Sequence, residues 1–144
     1  MSTKLVNAIR SGFVATAVMT LLLFVAPLMG MPKMPIGNML ANFMHIPLAL
    51  GWIMHLVIGI VLAAGYILFF QRRFSLNPVL DGAIYSLIPF FMAQLIVNPM
   101  MGAGIFSMNT PAPMLIVMGS LIGHLVYGAV LGWVIQKATA AVNA

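Results

Sequence analysis

Four long apolar stretches without a charged residue dominate the sequence, at residues 12–29, 47–70, 82–97 and 114–135. Each has roughly the 17–25 residues with which an α-helix crosses about 30 Å of hydrocarbon. Charged residues make up only 5% of the chain, whereas a soluble globular domain carries about 25%. The sequence therefore predicts an all-α, multi-pass membrane protein in which four transmembrane helices form a single domain over residues 1–144.

The basic residues indicate how these helices are oriented. Five of the six lysines and arginines lie in the N-terminal segment, in residues 71–81 and in the C-terminal segment, which share one side of the membrane, and only Lys33 lies on the other. Because positively charged loops stay in the cytoplasm, both termini are predicted to be cytoplasmic. The net charge of +5 is then explained by basic residues that flank the transmembrane helices, and it does not indicate nucleic-acid binding.

The first connection between the apolar stretches predicts a short helix. Its apolar residues recur at helical spacing at Ile36, Met39, Leu40, Phe43 and Met44. This pattern is typical of an amphipathic helix that lies in the membrane interface.

The chemistry available to the chain is narrow. It has no cysteine, which excludes disulfides and thiolate ligands. Its one carboxylate, Asp81, follows Asn77-Pro78 and lies near Arg72 and Arg73, so we expect it to cap the next helix or to form an ion pair. The sequence contains no nucleophile–base pair, no phosphate-binding loop and no carboxylate cluster, which argues against an enzyme.

An internal repeat organises the sequence. The pattern HLVxGxVL occurs twice and aligns His55 with His124 and Gly59 with Gly128. Further matches join residues 11–12 to 81–82 and residues 27–30 to 99–102. The repeat predicts two tandem, pseudo-symmetric helical hairpins, of about residues 5–73 and 78–137, related by an axis along the membrane normal.

Each histidine of the repeat lies in a stripe of small residues. Residues four apart are Gly51, His55, Gly59 and Ala63 in one helix, and Ser120, His124, Gly128 and Gly132 in the other. Such stripes let two helix backbones approach closely. One interpretation is therefore a structural or accessory subunit of a larger membrane complex, or a homo-oligomer, in which the stripes are packing faces.

A second interpretation is cofactor binding. A glycine one turn from a histidine leaves a groove for a flat macrocycle, and two symmetry-related imidazoles could ligate a b-type haem for electron transfer or haem handling. The metal ligands of this predicted site are His55 and His124, flanked by Gly51, Gly59, Ser120 and Gly128. The helices contain no carboxylate that could orient the ring nitrogens.

The methionines allow a third interpretation. Of the 14, nine fall on or near the connections opposite the termini: Met29, Met31, Met34, Met39, Met44, Met100, Met101, Met108 and Met114. Thioethers combined with imidazole select Cu(I), so copper binding or transport is chemically coherent. Methionine is also an adaptable filler of irregular apolar packing.

A quinone is a fourth candidate ligand. Gln94 and Asn98 are four residues apart and share a helix face, where they could hydrogen-bond a quinone carbonyl. Polar contacts between helices are the commoner use of such residues. Tyr127 could donate a hydrogen bond to a ligand beside His124.

Four segments together resemble a known family. They are SGFVATAVMT at 11–20, PLMGMPKM at 27–34, GWIMHLVIGIV at 51–61 and GSLIGHLVYG at 119–128. They resemble a family of small bacterial four-helix membrane proteins known only as a domain of unknown function. The resemblance implies a location in the bacterial inner, cytoplasmic membrane and implies no activity, substrate or site.

Overall fold

The structure is a computed structural model that describes residues 3–71 and 77–142. The described residues form helices and contain no strand: α1 (Thr3–Val25), α2 (Ile36–Met44), α3 (Leu48–Gly65), α4 (Pro78–Tyr85), α5 (Leu87–Met92), α6 (Asn98–Met100) and α7 (Pro113–Val142). Short 3-10 turns cover Ala26–Met29 and Ile105–Ser107, and wider π-helical turns cover Tyr66–Phe70 and Ala93–Val97. The predicted all-helical class is confirmed.

In residues 3–71 and 77–142, four helical segments are long and apolar enough to cross a membrane. We call them span 1 (Thr3–Met29), span 2 (Leu48–Phe70), span 3 (Pro78–Met100) and span 4 (Pro113–Ala138). They match the four apolar stretches of the sequence, except that span 2 begins one residue later than its stretch and span 1 begins earlier, so that it includes Lys4 and Arg10.

The outward surface of the bundle is apolar. Phe24 on span 1 is 64% exposed. On span 2, Val61 is 63% exposed and Phe69 is 72% exposed. Monomeric soluble proteins rarely expose contiguous apolar surface of this kind. The bundle is therefore suited to lipid rather than to water.

The amphipathic helix predicted before span 2 is present as α2. The residue after its last turn, His45, caps the helix. His45 has a φ of 56°, and its amide donates to the carbonyls of Ala41 and Asn42. α2 lies against α3, where a Cβ atom at Gly51 would lie 2.9 Å from Ala41 Cβ and would also meet the Gly37 carbonyl oxygen. Gly51 therefore serves the contact between these two helices.

Span 3 is interrupted, which the sequence analysis did not predict. Its α-helical geometry breaks at Ser86, between α4 and α5. Pro89 explains the break, because a proline has no amide proton and its ring clashes with the carbonyl four residues earlier, here that of Tyr85. Pro99 follows a π-helical turn in which the Asn98 amide donates to the Ala93 carbonyl.

Small residues bring the helices together in two pairs, α1 with α3 and α4 with α7. A Cβ atom at Gly12 of α1 would lie 2.6 Å from Ile60 Cα and 2.9 Å from the Gly59 carbonyl oxygen of α3. In the other pair, a Cβ atom at Gly128 of α7 would lie 2.7 Å from the carbonyl carbon of Gly82 in α4. The glycine stripes thus face a neighbouring helix within the chain.

The cap of α4 differs from the prediction. Asn77 is the capping residue, because its Oδ1 accepts from the Val79 amide at 2.9 Å. Asp81 lies in the first turn of α4, is 2% exposed, and its Oδ1 has no hydrogen-bond partner among the described residues. The prediction that Asp81 caps this helix is therefore wrong, while its predicted pairing with Arg72 or Arg73 lies outside the described residues.

Candidate functional site

A partly open cavity of about 270 Å³ lies between the helices, and all four spans contribute to its wall. Its lining is mostly apolar. The polar side chains that line it are Thr16, His55, Asn98, Ser120, His124 and Tyr127. Five methionines also line it: Met19, Met34, Met39, Met92 and Met101. Both repeat histidines therefore border one internal space.

The His55 ring is held by span 1. Its Nε2 lies 3.2 Å from Thr20 Oγ1, and the Thr20 hydroxyl donates its proton to the Thr16 carbonyl oxygen at 2.7 Å. Because that proton is committed, Thr20 Oγ1 accepts from His55, and we assign the imidazole proton to Nε2. His55 Nδ1 then carries a lone pair, and it has no hydrogen-bond partner in the described part of the chain.

The His124 ring is held by its own helix. Its Nδ1 lies 2.7 Å from the Ser120 carbonyl oxygen and 3.4 Å from Ser120 Oγ. A carbonyl oxygen only accepts, so Nδ1 carries the proton and Nε2 carries the lone pair. Among residues 3–71 and 77–142, no group hydrogen-bonds His124 Nε2.

An aromatic side chain packs edge-on against each imidazole. The Trp52 and His55 ring centroids are 6.2 Å apart, and Trp52 stacks in turn on Phe24 at 5.6 Å. Phe90 of α5 approaches His124 with 5.8 Å between ring centroids. Each imidazole is thus fixed by one hydrogen bond and one aromatic contact.

The other predicted site residues divide into two groups. Gly59 and Ser120 line the cavity with the histidines. Gly51 and Gly128 are not among the lining residues and instead contact α2 and α4. Even at Gly59, a Cβ atom would meet Thr16 Oγ1, so the Thr16 side chain of span 1 fills the space beside this glycine.

Two predicted ligand donors are used by the protein itself. Tyr127 donates its hydroxyl proton to the Gly59 carbonyl oxygen at 2.6 Å and so joins span 4 to span 2. The Asn98 side-chain amide donates to Gln94 Oε1 and to Ser107 Oγ, each at 3.0 Å. These contacts are polar links between segments of the chain, and they commit the donors of Tyr127 and Asn98, while Gln94 takes part through its acceptor Oε1.

Sequence reasoning missed the groups that orient the histidines. They are the Thr20 hydroxyl and the Ser120 backbone carbonyl, which take the place of the carboxylate that the helices lack. The signal was Thr20 itself, a hydroxyl-bearing residue on α1 that donates to the Thr16 backbone carbonyl oxygen and contacts His55. A backbone carbonyl carries no sequence signal.

The described residues do not provide the side chains of a structural zinc site. Within the described residues, no three histidine, cysteine, aspartate or glutamate side chains lie close enough to hold one metal ion. Structural zinc is held by four such ligands, so a structural zinc centre finds no support in this part of the chain.

Comparison with known proteins places the chain in one family. No curated protein and no solved structure matches it. The model of DUF6789, described as a family of unknown function, matches residues 2–143. The chain belongs to the DUF6789 family.

Proposed function

We propose that this membrane protein binds a small ligand in the cavity between His55 and His124. The observation that carries the proposal is the state of the two imidazoles: each is oriented by a hydrogen bond at one nitrogen and keeps a lone pair at the other. Both rings line the same apolar space. A hydrogen bond from the second nitrogen is the usual way in which a ligating histidine is oriented.

For the architecture, we propose two tandem hairpins with cytoplasmic termini in a bacterial inner membrane. The contacts of the histidines support the repeat, because Thr20 contacts His55 and Phe90, at a position 70 residues later, contacts His124. The distribution of basic residues supports the orientation.

A haem is a poor match for the volume. A cavity of about 150 Å³ holds one benzene ring, and this cavity of about 270 Å³ is less than twice as large. A macrocycle of four pyrrole rings would therefore extend beyond the cavity. The cavity suits a ligand of one ring, a short chain or an ion.

A packing or accessory subunit is the second candidate. This hypothesis is based on the glycine stripes, which bring helix backbones within contact distance. Those contacts lie between α1 and α3 and between α4 and α7, so the stripes are used inside the chain. An external partner would therefore have to bind a surface other than the stripes. Ligand binding needs no further surface, because both histidines already line the cavity.

The test is the ligand content of protein purified from its own membranes in a mild detergent. Absorption spectroscopy detects haem, elemental analysis detects metals, and mass spectrometry of an organic extract detects quinones and lipids. We expect one ligand in stoichiometric amount, reduced in His55→Ala and in His124→Ala. His45→Ala is the matched control, because His45 is exposed and does not line the cavity. A wild-type protein without a stoichiometric ligand, or one whose ligand persists in both variants, would overturn the proposal.

The orientation is tested by cysteine labelling, which has no background because the chain contains no cysteine. Single variants Lys33→Cys and Thr3→Cys are treated in intact cells with a maleimide that does not cross membranes. We expect labelling at position 33 and protection at position 3 until the membrane is permeabilised. The reverse pattern contradicts cytoplasmic termini.

A further inference from the structure

We infer that the ligand of this cavity is a soft monovalent metal ion, Cu(I), held by the free imidazole nitrogens and by thioether sulfurs of the cavity wall. This inference rests on the proposed function, since it names the ligand of the same site. It concerns binding only and involves no change of oxidation state.

The methionine content of the wall is the first observation. Five of the twenty lining residues are methionine, against 14 of 144 in the whole chain. They come from separate parts of the fold, with Met19 on span 1, Met39 on α2 and Met92 on α5. The fold thus brings together around one space methionines that are distant in the sequence.

The protonation pattern of the histidines is the second observation. A metal ion binds an imidazole nitrogen that carries a lone pair, and the hydrogen bonds leave such a nitrogen on each ring, Nδ1 of His55 and Nε2 of His124. The Thr20 hydroxyl and the Ser120 carbonyl then bind the other ring nitrogen of each histidine and fix the orientation of the ring, as the hydrogen-bond partners of metal-ligating histidines do. The two rings differ in which nitrogen is free, and this difference gives the inference a specific signature.

The donor types decide which metal fits. Thioether is a soft donor that selects Cu(I), and neutral imidazole also suits copper, whereas Mg²⁺ and Ca²⁺ require several oxygen ligands. No carboxylate lines the cavity. The cost of moving an ion out of water rises steeply with its charge, so a wall of uncharged donors in an apolar bundle suits a monovalent ion.

The experiment uses the full-length protein in detergent and Ag(I) as a redox-inert stand-in for Cu(I). The protein is labelled with ¹⁵N-histidine, and each ring nitrogen is followed by NMR during titration. We expect one bound ion per chain, with chemical-shift changes at His55 Nδ1 and His124 Nε2, while His45 is unaffected. Zn²⁺ at the same concentration should leave both signals unchanged.

Substitutions provide the second readout. Thr20→Val keeps the side-chain shape but releases the His55 ring, and the loss of such an orienting group typically weakens metal binding about 10- to 100-fold. Met92→Leu combined with Met101→Leu removes two sulfurs at nearly constant volume and should weaken binding at least about 10-fold, since the loss of a group that only orients a ligand already costs about that much. The matched control combines Met29→Leu with Met108→Leu, at methionines that are 80% and 73% exposed and outside the cavity. It should bind as the wild type does.

Three results would overturn the inference. One is the absence of Ag(I) binding to a folded wild-type protein. Another is equal binding by the cavity and control double variants. The third is a change at the bonded nitrogens, His55 Nε2 and His124 Nδ1, instead of the free ones. If an organic compound co-purifies and depends on the histidines while Ag(I) does not bind, this inference fails and the proposed function stands.

Discussion

The contact between α4 and α7 gives the sharpest test of the packing. Gly82 and Gly128 face each other so closely that a Cβ atom on either would meet the carbonyl oxygen of the other. A Cβ at Gly128 would also lie 2.7 Å from Ser86 Cβ. The substitution Gly128→Ala therefore places a methyl group against backbone, which cannot rotate aside as a side chain can, and the two helices must separate.

The magnitude follows from two opposing effects. Overpacking of a tight contact costs about 1–3 kcal/mol, and a contact with backbone falls in the upper part of that range. Replacing glycine with alanine inside a helix stabilises the folded state by about 1 kcal/mol through the higher helix propensity of alanine. The net loss is about 1–2 kcal/mol. At about 2–4 °C per kcal/mol for a protein of this size, the Tm should fall by about 2–8 °C.

Gly123→Ala is the matched control on the same helix. A Cβ atom there would lie 3.2 Å from Met19 Cε, the flexible end of a side chain, with the next atom at 3.7 Å. The methionine can move by the few tenths of an ångström required, so this variant should keep or raise the Tm. Thermal unfolding of both variants in the same detergent measures the difference. Equal Tm shifts for the two variants would refute the backbone contact between α4 and α7.

Three further substitutions test single hydrogen bonds by thermal unfolding. Asn77→Ala removes the N-cap of α4 and should cost about 1 kcal/mol; an unchanged Tm would contradict the cap. Tyr127→Phe removes the 2.6 Å bond to the Gly59 carbonyl and should also cost about 1 kcal/mol, without altering secondary structure. Ser107→Ala deprives the Asn98 amide of one of its two acceptors and should cost less, because the other acceptor remains; a loss as large as that of Tyr127→Phe would contradict this ranking.

Some features of the fold could be predicted because their causes are local. The four spans follow from the length of uncharged stretches, and α2 follows from the spacing of its apolar residues. The break in span 3 had a local signal in Pro89 that was not used. The cap was assigned to Asp81 because a carboxylate before a helix is a common cap, but the helix begins at Pro78, which makes Asn77 the capping residue.

The candidate site was predicted in part. The repeat singled out His55 and His124, and both line the cavity. The role of the glycines was left open, and the structure uses Gly59 and Gly128 to pack against α1 and α4. The hydrogen bond between Thr20 and His55 joins residues 35 apart, so it depends on how two helices are rotated against each other.

The four helices that are long and apolar enough to cross a membrane, and the repeated histidine segment, could be read from the amino-acid order alone. A helix in lipid satisfies its own backbone hydrogen bonds, so length and apolarity are sufficient to specify it. The use of the glycine stripes within the chain, and the methionine-lined cavity in which each histidine keeps one free nitrogen, became visible only in the folded molecule. Those properties depend on the rotation and depth of each helix, which side-chain packing across the bundle sets.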